Sequence, residues 1–171
     1  DNWKRFAALS FAAYEIGGGA AGEWQPQILH CHDWQAGLVP AYVRYNSPIP
    51  AKTILTVHNI AFQGLFGFEI FNALRLDYRA AQENAIEFYG LVNYLKAGLT
   101  AADWLTTVSP TYALEIKTAA YGMGLEGLLA ARAESLSGIL NGIDYGEWDP
   151  RTDKSLHTNF GHNTPEQRQA N

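Results

Sequence analysis

The sequence predicts an α/β fold, a doubly wound parallel sheet, and three observations carry that expectation. Short apolar runs rich in β-branched residues, of which Thr53-Ile54-Leu55-Thr56-Val57 is the clearest, read as strands buried on both faces. Between them lie segments whose apolar residues recur at three- and four-residue steps, the rhythm of amphipathic helices. The two kinds of segment alternate throughout, and the connections are long enough for parallel crossovers.

Taken in order, Trp3, Phe6, Ala7, Ser10, Phe11 and Tyr14 mark a first helix, which Gly17-Gly18-Gly19 ends. A buried strand is expected from about Gln27 to Cys31. A helix from about Trp34 to Tyr45 follows, with Asp33 as its N-cap and Ser47-Pro48 closing it. The second strand is the 53–57 run. Phe62 to Glu87 is aromatic-rich with short helical patches and reads as a long excursion over the surface. Leu91 to Ala102 returns to helical spacing. Trp104 to Val108 is a third strand, after which Ser109-Pro110 opens a helix as N-cap and N1 residues. Leu125 to Arg132 is a short helix. Leu136 to Leu140 is a last strand, ending in Asn141-Gly142-Ile143-Asp144.

Composition narrows the partners. With 47% hydrophobic residues in 171 there is ample material for a core, and a net charge of −5 argues against nucleic acid. One cysteine excludes an internal disulfide and a cysteine-rich zinc module. No apolar run approaches the roughly 18–20 residues of a membrane span, and no signal peptide is visible.

Two polar clusters tip successive strands: His30-Cys31-His32-Asp33-Trp34 and Thr56-Val57-His58-Asn59. Carboxyl ends of parallel strands are where open α/β sheets hold their ligands. Both clusters also have plainer readings. Asp33 suits a helix cap, His32 a packed core histidine and Asn59 a turn. His30-x-His32 places two imidazoles on one strand face, so with Asp33 and His58 it is also a candidate zinc site of a hydrolase, although no further carboxylate pattern supports it. Asn141-Gly142 is either turn chemistry or a ligand-facing pair at another strand end. No Walker loop, nucleophile elbow or Gly-x-Gly-x-x-Gly fingerprint is present, and the glycine triplet follows a helix rather than a strand.

Five blocks in succession, HCHDWQAGLVPAY, KTILTVHNIAFQG, YLKAGLTAADWLTTVSPTYALEI, YGMGLEGLLAAR and LSGILNGIDYGEWDP, resemble bacterial glycogen synthase and plant starch synthase. The resemblance runs from about Trp24 to Asp153 and is weaker between Gly67 and Glu87. It implies a retaining glucosyltransferase that moves glucose from ADP-glucose to the end of an α-1,4-glucan or maltodextrin. It also implies the Rossmann-like N-terminal half of a two-domain GT-B enzyme. By the same resemblance Asp33 and His58 are catalytic-site residues, while His32, Asn59, Gln63, Asn141 and Gly142 bind substrate. No cofactor or metal is implied, since ADP-glucose is a substrate.

The expected organisation is a partial Rossmann-like domain over residues 1–150 and a connection over 151–171 toward a C-terminal domain. The opening at Asp1, already in helical rhythm, and the polar end read as a piece of a longer chain. Such a piece is expected to be inactive alone and prone to aggregation through exposed sheet edges. The expected compartment is the cytoplasm, or the plastid in a plant. Two other functions compete: a metal-dependent hydrolase using His30, His32 and Asp33, and a non-catalytic glucan-binding module.

Overall fold

Along the chain run α1 (Asn2–Glu15), β1 (Ile28–His32), α2 (Leu38–Tyr45), β2 (Lys52–Val57), β3 (Leu65–Gly67), β4 (Glu87–Phe88), β5 (Leu91–Asn93), α3 (Tyr94–Ala101), β6 (Trp104–Thr107), α4 (Pro110–Glu115), α5 (Glu126–Ala131) and β7 (Leu136–Gly138). They come from a computed structural model describing residues 1–82 and 84–171. Two compact units divide the chain, Asp1–Leu140 and Asn141–Asn171.

The first unit is organised by a parallel sheet of order β1-β2-β6-β7, with His32 opposite Thr56 and Thr56 opposite Thr106. Because the strand order advances in one direction, right-handed crossovers all fall on one side. On that side Cys31, Leu55, Val57 and Leu105 pack against Val39, Leu95, Leu99, Ile116, Leu125 and Leu129. The chain thus holds one winding of the Rossmann-like plan. On the opposite face Ile28 and Trp104 stay 54% and 44% exposed.

Helices α2 and α3 cross where Gly37 meets Gly98: a Cβ on Gly98 would stand 2.8 Å from the Gly37 carbonyl oxygen. Asn93 caps α3 by accepting from Lys96 N at 2.9 Å, and Ser109 caps α4 by accepting from Tyr112 N at 2.8 Å. Asp103 ties the starts of β2 and β6 together, accepting from Thr53 N at 2.8 Å and Thr53 Oγ1 at 2.9 Å.

Three sequence expectations are corrected. Leu91–Asn93, read as the start of a helix, form β5 instead, and the helix begins at Tyr94. The 62–87 segment is no surface excursion: Ile70, Phe71, Leu74, Leu76, Ala80 and Ile86 join Ala7, Tyr14, Leu38, Tyr42 and Tyr94 in a second core. Its 3-10 turns, Phe68–Leu74 and Tyr78–Ala81, follow a three-residue rhythm and so hide the helical period. The small antiparallel sheet β3-β5-β4 and a bond from the Tyr42 hydroxyl to the Leu74 carbonyl (2.6 Å) fasten it down. The last strand also stops early, at Gly138. Its neighbour β6 ends at Thr107, where the chain turns into the Ser109 cap, and one further bond, Ile139 N to Thr107 O at 2.8 Å, uses the last partner.

Candidate active site

The carboxyl ends of β1 and β2 meet in a rim built by their parallel register. As β1 ends, the chain turns sharply at Asp33, whose φ of 52° and ψ of −165° lie in a region seldom used by residues with a side chain. Two bonds hold it there. Asp33 N donates to Thr56 O at 2.9 Å, and Asp33 Oδ1 accepts from His58 N at 2.7 Å. Asn59 N donates to the same oxygen at 3.4 Å. The expected helix cap is therefore not made. Asp33 precedes a 3-10 turn, Trp34–Ala36, without bonding to it, because its carboxylate reaches across to the next strand end instead.

Three imidazoles form a ladder beside this clamp. His30 and His32 project from the same strand face and their rings lie 4.3 Å apart at 33°. Nδ1 of His32 and Nε2 of His58 share a hydrogen bond of 3.0 Å. His30 Nε2 lies 2.7 Å from Thr56 Oγ1, which lies 2.6 Å from Thr106 Oγ1, so the lowest rung is fixed to the sheet. Burial holds the His32 pKa below the ordinary imidazole range, and the His30 and His58 rings press it the same way, with Asp33 opposing. Among the described residues, His58 Nδ1, Asp33 Oδ2 and the Asn59 amide nitrogen have no protein partner. All three residues are on the rim, where a polar ligand can meet them.

This arrangement gives the hydrolase reading no support. His30 Nε2 is engaged by a threonine hydroxyl and His32 Nδ1 and His58 Nε2 by each other, and Asp33 Oδ1 already accepts two backbone N–H groups. Among the described residues, no group of His, Cys, Asp or Glu has the arrangement of a metal site. Cys31 points into the core, where burial pushes its thiol up to about 12.

Of the remaining expected residues, Gln63 departs from its implied role. It is buried, its Nε2 donates to Met123 O at 3.0 Å and its Oε1 accepts from Asn93 Nδ2 at 2.7 Å. Both ends of the amide are consumed in joining the loop after β2 to β5 and to the 121–124 turn. Asn141 and Gly142 are exposed and belong to the second unit, beyond the end of β7. Sequence reasoning placed Thr56 in the second polar cluster without a role and missed Thr106; the Thr56 hydroxyl meets His30 and is itself held by Thr106. It also missed Tyr112, whose hydroxyl accepts from Ile60 N at 3.1 Å and steadies the loop after His58. Threonines inside the apolar runs of β2 and β6 were the available signal, since a hydroxyl placed in a packed strand asks for a partner.

A parallel sheet with a polar rim at adjoining carboxyl strand ends defines a Rossmann-like α/β enzyme domain. The comparisons make this specific. The starch synthase catalytic domain family model matches residues 1–131. The chain is 53% identical over all 171 residues to glycogen synthase of Rhizobium johnstonii, covering 36% of that protein. It is 53% identical over 160 residues to glycogen synthase of Roseobacter denitrificans, covering 94% of this chain and 33% of the relative. Among solved structures, the catalytic domain of starch synthase IV from Arabidopsis thaliana, bound to ADP and acarbose, matches with a TM-score of 0.80 at 31% identity. That match covers 99% of this chain and 36% of the other. The chain belongs to the starch synthase catalytic domain family, whose members are glycosyltransferases, and it spans about a third of the length of its curated relatives.

Proposed function

We propose that the protein containing this chain is a glycogen synthase that transfers glucose from ADP-glucose to the non-reducing end of an α-1,4-glucan with retention. The observation that carries the proposal is 53% identity to a glycogen synthase over all 171 residues. The related starch synthase IV holds ADP and acarbose, which fits a nucleotide-sugar donor and a glucan acceptor.

The division of labour follows from charge. Glycosyl transfer passes through an oxocarbenium-like state, which groups around the sugar ring can orient and stabilise. A diphosphate leaving group needs cations or helix N-termini for its developing negative charge. The rim of β1 and β2 offers imidazoles, a carboxylate and an amide but no lysine or arginine. We therefore assign it to the sugar ring and acceptor, and assign the diphosphate to a C-terminal domain of the same enzyme. In this reading His58 Nδ1 bonds the transferred glucose, Asp33 holds the His58 backbone with one oxygen and faces the sugar with the other, and Asn59 completes the rim, with His32 bonded behind the His58 ring. For Asn141 and Gly142 the assignment rests on the family resemblance alone. The reaction as proposed uses no cofactor. The curated relatives are bacterial, and the proposed compartment is the cytoplasm. Among the described residues, no helix is long and apolar enough to cross a membrane.

The test is His58→Ala in the full-length enzyme, assayed for ADP-glucose-dependent elongation of maltodextrin. Turnover is expected to fall at least about a hundredfold, the scale of a lost transition-state contact, with the circular dichroism spectrum unchanged. Wild-type turnover would reject the assignment.

A further inference from the structure

We infer that His32 is a positioning residue whose Nδ1 holds the His58 ring and decides whether His58 Nδ1 offers the sugar a donor or an acceptor. The inference rests on the role proposed for His58 and concerns how that ring is made competent.

The geometry leaves little freedom. A 3.0 Å separation between His32 Nδ1 and His58 Nε2 requires one proton between them. If His32 supplies it, His58 Nε2 is the acceptor, and the neutral His58 ring must carry its own proton on Nδ1, facing outward as a donor. If His58 supplies it, His58 Nδ1 is left as an acceptor. The tautomer presented to a ligand is thus set by the neighbouring ring, as the partner of one imidazole nitrogen generally sets the state of the other. His32 is itself held: its ring lies on His30, which Thr56 and Thr106 fix to β2 and β6. The ladder therefore transmits the rigidity of the sheet to an exposed ring on a loop.

The charged or titratable groups facing His32 are His30 and Asp33 from its own strand and His58 from the end of β2. A first added proton leaves the His32–His58 bond intact, since one ring still donates and the other accepts. A second proton makes both facing nitrogens donors, and the rings must part. Burial and the two neighbouring imidazoles resist protonation of His32. The alignment is lost on acidification, in a step that belongs to the pair rather than to one ring.

The test compares His32→Ala, His32→Asn and His58→Ala in the full-length enzyme, with kcat, KM for ADP-glucose and the acid limb of kcat measured for each. Asn places an amide group near the position of imidazole Nδ1, so it keeps the bond without titrating. The expected pattern is a ten- to hundredfold fall in kcat for His32→Ala with KM changed by less than about threefold. For His32→Asn, kcat is expected within about threefold of wild type, with a less steep acid limb because one titrating ring remains of two. Wild-type kcat in His32→Ala, no recovery by Asn, or an unaltered acid limb in the Asn variant would each overturn the inference. If His32→Ala does not fold, the limb of the Asn variant decides. Should His58→Ala itself retain wild-type turnover, the site assignment has failed; if it collapses while the His32 variants behave as wild type, only the role of His32 has.

Discussion

Asp33 shows at the scale of one residue how the site is held. A non-glycine residue at φ 52°, ψ −165° costs of order 1–3 kcal/mol, and strain of this kind is tolerated where surrounding bonds over-determine it. Here those bonds are Thr56 O to the Asp33 amide and Asp33 Oδ1 to the His58 amide. Glycine tolerates this backbone and alanine does not, while both lose the carboxylate. Asp33→Gly is therefore expected to be more stable than Asp33→Ala by about 1 kcal/mol in urea unfolding, although both lose activity. Equal stability would mean that the turn relaxes when the clamp is removed. The motif was legible in the sequence as a cluster of titratable groups, but the role of its aspartate was not. A Ser, Asn or Asp before a helix reads as a cap because the local rule is strong, and only pairing with β2 reveals that the carboxylate has a better partner across the sheet.

At the scale of elements, the sequence disclosed what repeats and missed what does not. Strands β1, β2 and β6 stood out as short apolar runs, and the Ser109 cap because side-chain capping is local, but β1, read as a buried strand, fully buries only Cys31 because helices cover one face of the sheet. The 68–81 segment was misread because 3-10 turns share no period with the α-helix, so Ile70, Phe71 and Leu74 looked scattered although they lie in one core. Gln63, a substrate-binding residue by the family resemblance alone, has its amide bonded to Asn93 and Met123. The crossing of α2 and α3 gives an element-scale prediction. A Cβ on Gly98 would press on the Gly37 carbonyl oxygen and on Leu55 Cδ2, at 2.8 and 2.9 Å, so Gly98→Ala must separate the helices. It is expected to destabilise the protein by about 1–3 kcal/mol, the usual cost of overpacking, despite the better helix propensity of alanine. A neutral or stabilising effect in thermal unfolding would contradict so close a crossing.

For the molecule as a whole, the single direction of strand order is decisive. It covers one sheet face with helices and leaves two apolar side chains exposed on the other, Ile28 on the edge strand β1 and Trp104 on the interior strand β6. Exposed apolar surface next to an unpaired edge favours association. The 171-residue chain expressed alone is expected to elute from size exclusion as soluble aggregate or oligomer, and Ile28→Lys is expected to shift it toward monomer. A clean monomer at high concentration would contradict that expectation. The covered face makes the opposite prediction for chemistry: burial keeps the Cys31 thiol neutral, so iodoacetamide at pH 8 should label it only after denaturation. Rapid labelling of the native chain would show that this side of the sheet opens.

In the proposed enzyme β1 and β2 deliver Asp33 and His58 to one rim, where a hexose binds. A crystal structure of the full-length enzyme with ADP and a maltooligosaccharide tests it most directly. A sugar hydroxyl is expected at hydrogen-bond distance, about 2.6–3.2 Å, from His58 Nδ1, with the Asp33 clamp on the His58 amide intact. Sugar rings bound elsewhere in the cleft, with the ends of β1 and β2 touching only solvent, would contradict it.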